Sequence, residues 1–345
     1  MSHLQDEIHE QPGVLARFIA EESENVARVA TEVRNRGIQY IIIAARGTSD
    51  NAATYGKYLF AIVNSLPVAL AAPSLYTIYE RPPRMERALV MGISQSGESP
   101  DIVAVLAEAR RQGVPSLALT NIAGSPITQV ADYTILCRAG EEHSIAATKT
   151  YTAQLTALAL FASMLAGDRE RVKELESLPA AVEKTLTLEE TIASHAQRYR
   201  YMNACVVIGR GYNYATAYEI ALKIKELTYV MAEPYSPADF MHGPIAIVEH
   251  GFPVFIVAPR GRLYDDVLQF ARQLHQQGAE LINISDGEEC LDLATTPFAL
   301  PVSVPEWLSP ITCIVPGQLF ALHLTSAKGF DPDHPRGLRK VTKTR

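Results

Sequence analysis

Short apolar runs alternate along this chain with stretches that are apolar at every third or fourth position. IQYIIIAA, ALVMGIS, PSLALTN and YTILC have strand length and are nearly apolar throughout, while PDIVAVLAEARRQG has helical spacing and a closing glycine. Strands that are continuously apolar, rather than alternating, predict a sheet buried on both faces. Such a sheet is parallel and carries helices on either side. After a helix-rich middle, the pattern restarts with ACVVIGRGYNYATAYEIALKIKEL, PVFIVAP and DDVLQFARQLHQQGAELINISD.

The restart is in register with the first round. Arg46-Gly47 falls on Arg210-Gly211, Ala53 on Ala217 and Gln112-Gly113 on Gln277-Gly278, a shift of 164 to 165 residues. The expectation is an α/β protein of two doubly wound parallel domains related by duplication, with chance similarity between unrelated α/β domains as the alternative. The expected division is a helical segment at 1–30, a first domain at 31–170, a helical connector at 171–196, a second domain at 197–330 and a tail at 331–345. The halves differ usefully: where the first has Ser94, Gln95, Ser96 and Ser99, a shift of 164 gives Ala258, Pro259, Arg260 and Leu263.

Composition narrows the class. The chain has 345 residues, 48% of them apolar, and a net charge of −7, which fits a globular protein and argues against a nucleic-acid partner. Cys137, Cys205, Cys290 and Cys313 are far apart in mostly apolar surroundings, so buried reduced thiols are expected. The start lacks the pattern of a signal peptide and no apolar run is expected to reach the roughly 20 residues of a membrane span. The expected location is the cytoplasm.

Candidate chemistry falls in two places. ARGTSDNAA and SQSGESPD each follow a strand and precede a helix, and both are rich in hydroxyls. In a doubly wound sheet the ligand lies at such strand ends, and helix N-termini with serine and threonine hydroxyls suit a dianionic phosphate. Helix capping and solvated turns are the plain alternative. No GxxxxGK[ST] is present, which turns the expectation from nucleotides to a small polyhydroxylated phosphate. In the second half, Glu219, Lys223 and Glu226 share a helix face, as a salt-bridged solvent surface also would. His242 in PADFMHGP is a candidate proton shuttle or a satisfied structural histidine. Lys340 follows DPDHPRGL, whose prolines and glycine would turn the chain, though a flexible basic tail is the simpler reading.

ARGTS, SQSGES, EHSIAATKTYTAQ, ALKIKE, MAEPYSPADFMHGP and FDPDHPRGLRKVTKT together resemble the tandem SIS (sugar isomerase) domains. The resemblance covers the isomerase half of glutamine:fructose-6-phosphate aminotransferases and the SIS-type glucosamine-6-phosphate deaminases and deglycases. It implies phosphate contacts at Thr48, Ser49, Ser94, Gln95, Ser96 and Ser99, and sugar contacts at Ile145 and Ala147. It further implies an isomerisation base at Glu226 assisted by Lys223, ring opening by His242, and a ketose contact at Lys340. No metal or organic cofactor is implied. The partner is a sugar phosphate, and a homodimer is implied, with His242 reaching the neighbouring subunit's site. Two departures stand out. Ala147 replaces a sugar-contacting serine, and no glutaminase segment with an N-terminal cysteine is seen in the chain. The resulting expectation is a deaminase converting glucosamine 6-phosphate and water to fructose 6-phosphate and ammonia. The alternatives are a fructosamine-6-phosphate deglycase, an ammonia-dependent synthase-like isomerase, and a sugar-phosphate sensor without catalysis.

Overall fold

A computed structural model describes residues 2–340; positions 341–345, the end of the expected tail, lie outside it. Helices α1 (His3–His9) and α2 (Gln11–Asn35) precede an alternating run of β1 (Tyr40–Ala44), α3 (Thr48–Asn64), β2 (Val68–Leu70), α4 (Ser74–Thr77), β3 (Ala88–Ser94), α5 (Pro100–Arg111), β4 (Ser116–Thr120), α6 (Pro126–Val130) and β5 (Tyr133–Leu136). Next come α7 (Lys149–Ala166), α8 (Arg169–Leu175), α9 (Leu178–Leu186) and α10 (Glu189–Ala196). The second run is β6 (Ala204–Ile208), α11 (Tyr214–Thr228), β7 (Met231–Tyr235), α12 (Pro237–Met241), β8 (Pro253–Val257), α13 (Tyr264–Gln276), β9 (Glu280–Ser285), α14 (Glu288–Leu291), β10 (Thr296–Ala299) and α15 (Ser309–Ala327).

Both sheets are parallel, and both have one topology. The first is ordered β2-β1-β3-β4-β5 and the second β7-β6-β8-β9-β10, the doubly wound pattern whose ligand crevice lies where the strand order reverses. The central strands β3, β4 and β8 are buried along their whole length, as their continuous apolar sequences require. The long helices repeat as well: α7 packs on α3 as α15 packs on α11.

Contacts divide the described chain into two compact units that are not continuous stretches. Residues 13–142, 149–177 and 339–340 form the unit around the first sheet; residues 2–12, 143–148 and 178–338 form the unit around the second. The boundaries between these contact units fall after residues 12, 142, 148, 177 and 338, beside the expected linear division near 30, 170, 196 and 330.

In the second unit α11 is seated closely on α15. A Cβ at Gly317 would lie 2.4 Å from Ile220 Cγ1, so only glycine permits this approach. Residues 306–327 reach the length of a membrane span and contain an 18-residue window of mean hydropathy 1.3, which corrects the expectation that no run comes near it. That window is 94% buried inside the fold, and α15 is a core helix. All four cysteines are free and buried, and burial pushes the Cys290 thiol up to about 11.

Candidate functional site

The first sheet reverses its strand order between β1 and β3, where Ala44 pairs with Gly92. The loops leaving these two strands are the two hydroxyl-rich segments. Their sequence separation of about half a domain disappears because β3 lies beside β1 instead of following β2. Thr48 and Ser49 open α3, and Ser94 to Ser99 lead into α5. Neither helix has a side-chain hydrogen bond at its N-cap, although Ser99 occupies that position in α5. The N–H groups of Ser49, Asp50 and Ile102 bond to backbone carbonyls of the same turns and Pro100 has none, so the hydroxyls, with the positive ends of the two helices, are what suit an anion here.

The second loop is held in shape by local bonds. Ser94 Oγ accepts from Gly97 N at 3.1 Å and lies 3.4 Å from Ser99 Oγ, while Ser96 Oγ accepts from Glu98 N at 3.3 Å. The Gln95 carbonyl accepts from Asn121 N at 3.0 Å and from Thr120 Oγ1 at 3.2 Å, tying the loop to the end of β4. Gly97 has φ +65°, and a Cβ there would meet the Ser125 hydroxyl at 2.1 Å. Ser49 and Ser94 are buried, while Thr48, Gln95, Ser96 and Ser99 are partly accessible.

Arg46 spans the crevice, donating from Nε to the buried Asp101 at 2.8 Å. The second unit repeats this strut as Arg210 with Asp266, so it belongs to the duplicated framework rather than to the ligand. Burial raises the Asp50 carboxyl above its ordinary range, against the opposing pull of Arg46.

The matching crevice of the second unit is filled from within. Arg260 N donates to Asp286 Oδ1 at 2.6 Å and Arg262 N to Glu306 Oε2 at 2.9 Å, and the Ser303 hydroxyl also binds Asp286. Carboxylates of the chain itself sit on these loop donors. The exchange of hydroxyls between the halves thus has a structural counterpart.

The ionisable residues of the second unit gather on α11. Lys223 Nζ lies 2.6 Å from Glu226 Oε2 and 3.4 Å from Glu219 Oε1. The side chains of Glu219 and Lys223 are 0% and 1% exposed, against 25% for Glu226, so the face is not a solvated one. Glu226 is the accessible end of a buried charge row. Its Oε1 makes no hydrogen bond among the described residues, which leaves an oxygen for proton exchange. Glu226 lies twelve residues into α11, roughly 18 Å along the helix from its first residue. Its position is therefore remote from the strand-end crevice of its own unit. His242 follows α12 and is exposed, its backbone N–H bonded to Asp239 O at 3.2 Å.

Ile145 and Ala147 fall on the segment 143–148, which α1 braces. The buried Glu7 accepts from the backbone N–H of His143 and from that of Ser144 at 3.2 Å. Gln11 Nε2 donates to Gln318 Oε1 at 2.9 Å, and Gln318 Nε2 lies 3.5 Å from Thr148 O. Lys340 belongs to the first unit, with its ammonium 3.0 Å from the fully buried Glu142. Glu142 also accepts from Thr150 N at 3.2 Å and Thr150 Oγ1 at 2.8 Å. The first unit thus holds the hydroxyl loops and Lys340; the second holds Glu226, Lys223, His242, Ile145 and Ala147. Sequence reading does not single out Glu7, Glu142 or Gln318; the one trace among them is that Glu142 opens the segment EHSIAATKTYTAQ.

Two doubly wound parallel units, one with hydroxyl-lined loops at its strand-order reversal and one with a buried lysine–carboxylate row, define a duplicated α/β class of protein. The SIS domain model matches residues 36–164 and 202–326, and the chain belongs to that family. The glutamine--fructose-6-phosphate aminotransferase [isomerizing] of Thermococcus kodakarensis is 37% identical over 345 residues, covering 97% of this chain and 56% of that protein. The chain thus spans about half the length of the curated relatives it matches. The C-terminal domain of the glucosamine-fructose-6-phosphate aminotransferase from Francisella tularensis superposes with a TM-score of 0.87 at 28% identity, over 96% of this chain and 98% of that one. Glucosamine-6-phosphate deaminase from Thermotoga maritima shares the fold, with a TM-score of 0.79 at 21% identity over 99% of this chain and 100% of that one.

Proposed function

We propose that this chain is a phosphosugar isomerase acting as a deaminase, converting glucosamine 6-phosphate and water to fructose 6-phosphate and ammonia. The observation that carries the reading is the pairing of an accessible Glu226 with a buried Lys223 in a chain that also has an uncapped, hydroxyl-lined crevice. The names of the Thermococcus kodakarensis and Francisella tularensis relatives both contain fructose 6-phosphate, which supports the substrate class.

In this reading Thr48, Ser49, Ser94, Gln95, Ser96 and Ser99 bind the phosphate and fix one end of the sugar. His242 moves a proton between the ring oxygen and O1 to open the ring. Glu226 takes the C2 proton and returns it to C1, and Lys223 holds the carboxylate and offsets developing negative charge. Water then displaces ammonia from the resulting C2 imine. Ile145 and Ala147 line the sugar, and Lys340 exchanges Glu142 for the ketose oxygens. The exposed His242 suits a homodimer in which it serves a neighbouring subunit.

Incubation of the purified chain with glucosamine 6-phosphate should release ammonia and fructose 6-phosphate in equal amounts, with no release of lysine from fructoselysine 6-phosphate. Glu226→Gln should lower turnover by about 10²- to 10⁴-fold while leaving phosphosugar affinity within a few-fold. Release of free lysine and glucose 6-phosphate from fructoselysine 6-phosphate instead would identify a deglycase. Tight phosphosugar binding with no turnover of either substrate would identify a sensor.

A further inference from the structure

Helix α7 is buried along almost its whole length, and in it Gln154 is 1% exposed. Its Nε2 donates to Ser49 Oγ at 3.1 Å, while its Oε1 is buried and has no hydrogen-bond partner among the described residues. A buried amide bonded at one end only is a burden on stability, and a methionine would fill similar volume without it. This amide needs a reason other than packing.

Ser49 supplies one. A side-chain NH2 group has only protons to offer, so Ser49 Oγ is the acceptor in the pair and its own proton is directed elsewhere. Ser49 stands in the first turn of α3, at the strand-order reversal, where the crevice opens. An unconstrained hydroxyl turns either its proton or its lone pairs toward an anion; one that already accepts from a fixed NH2 is preset as a donor. We propose that Gln154 is a positioning residue that orients the Ser49 hydroxyl to donate to a phosphoryl oxygen. This rests on the reading of the crevice as a phosphate site.

The test is titration calorimetry of the full chain with inorganic phosphate, fructose 6-phosphate and fructose, alongside thermal unfolding. Gln154→Met is expected to weaken inorganic phosphate and fructose 6-phosphate by about 5- to 10-fold, as for one charge-assisted hydrogen bond, with Tm unchanged or higher. Gln154→Glu, which offers Ser49 an acceptor and adds a negative charge, should weaken both at least as much. Ser49→Ala should remove most of the Gln154→Met effect, leaving less than about a twofold difference in the double variant, because the two act through one proton. Unchanged phosphate affinity with a lowered Tm in Gln154→Met would make the residue a packing strut and overturn the proposal, as would full additivity with Ser49→Ala. Failure of the wild-type chain to bind either phosphate compound would remove the crevice reading itself, a result distinct from insensitivity to Gln154.

Discussion

Lys223 is the residue on which the second unit concentrates its charge. It lies buried between Glu219 and Glu226, and breaking a buried ion pair from one side typically costs about 3–5 kcal/mol. Lys223→Met should therefore lower stability by an amount of that order, read as a shift of the urea midpoint, whatever it does to turnover. The spacing of the three residues is written in the sequence, but their burial is not. Helical periodicity puts them on one face; that the face is buried at Glu219 and Lys223 is set by packing in the folded chain. Glu142 is a stronger case, because its partner Lys340 is 198 residues away and no local pattern links them. Glu142→Gln should weaken the hold on Lys340 and on the start of α7, at a cost of about 1–3 kcal/mol in urea unfolding.

At the level of elements, α1 illustrates how a short helix acquires a role by anchorage. Glu189 at the start of α10 binds His9 at 2.6 Å, Gln5 at 2.8 Å and, from α15, His323 at 3.0 Å. Burial would raise the Glu189 carboxyl, but the bonds from His9, Gln5 and His323 and the His9 charge outweigh it and hold it below its ordinary value of 4.5. A carboxyl lowered in the folded state stabilises above its unfolded value and loses that contribution as pH falls through its folded value. Amide protection in α1, taken relative to intrinsic exchange at each pH, should accordingly fall on acidification below about 4.5. Asp333 also holds the N-terminus of α1, through His3 N at 2.9 Å and Leu4 N at 3.0 Å, so Glu189→Gln at neutral pH separates the two contributions. That variant should speed exchange in α1 while leaving the strands of the second sheet protected.

For the whole molecule, duplication explains both the likeness of the units and the value of their differences. The strand order and the arginine–aspartate strut recur in each. One crevice is lined with hydroxyls, while the other meets its backbone donors with Asp286 and Glu306. Phosphate should consequently bind with a stoichiometry of one per chain, and Ser94→Ala should weaken it at least roughly tenfold, as expected for one charge-assisted hydrogen bond. A second equivalent of similar affinity in calorimetry would contradict this assignment.

The sequence by itself determined the α/β class, the parallel sheets, the repeat and the two hydroxyl-rich loops. These rest on local periodicity and on residue type at strand ends, which are properties of a few neighbouring positions. Tertiary structure alone decided that β1 and β3 are neighbours, bringing both loops to one crevice, and that the segment carrying Ile145 and Ala147 joins the second unit. It also decided which charges are buried, which donors face internal carboxylates, and that Gln154 meets Ser49 across 105 residues of chain. The physical reason is the same in each case: a buried polar group must find its partner wherever packing brings one, and that partner is set by contacts far apart in sequence.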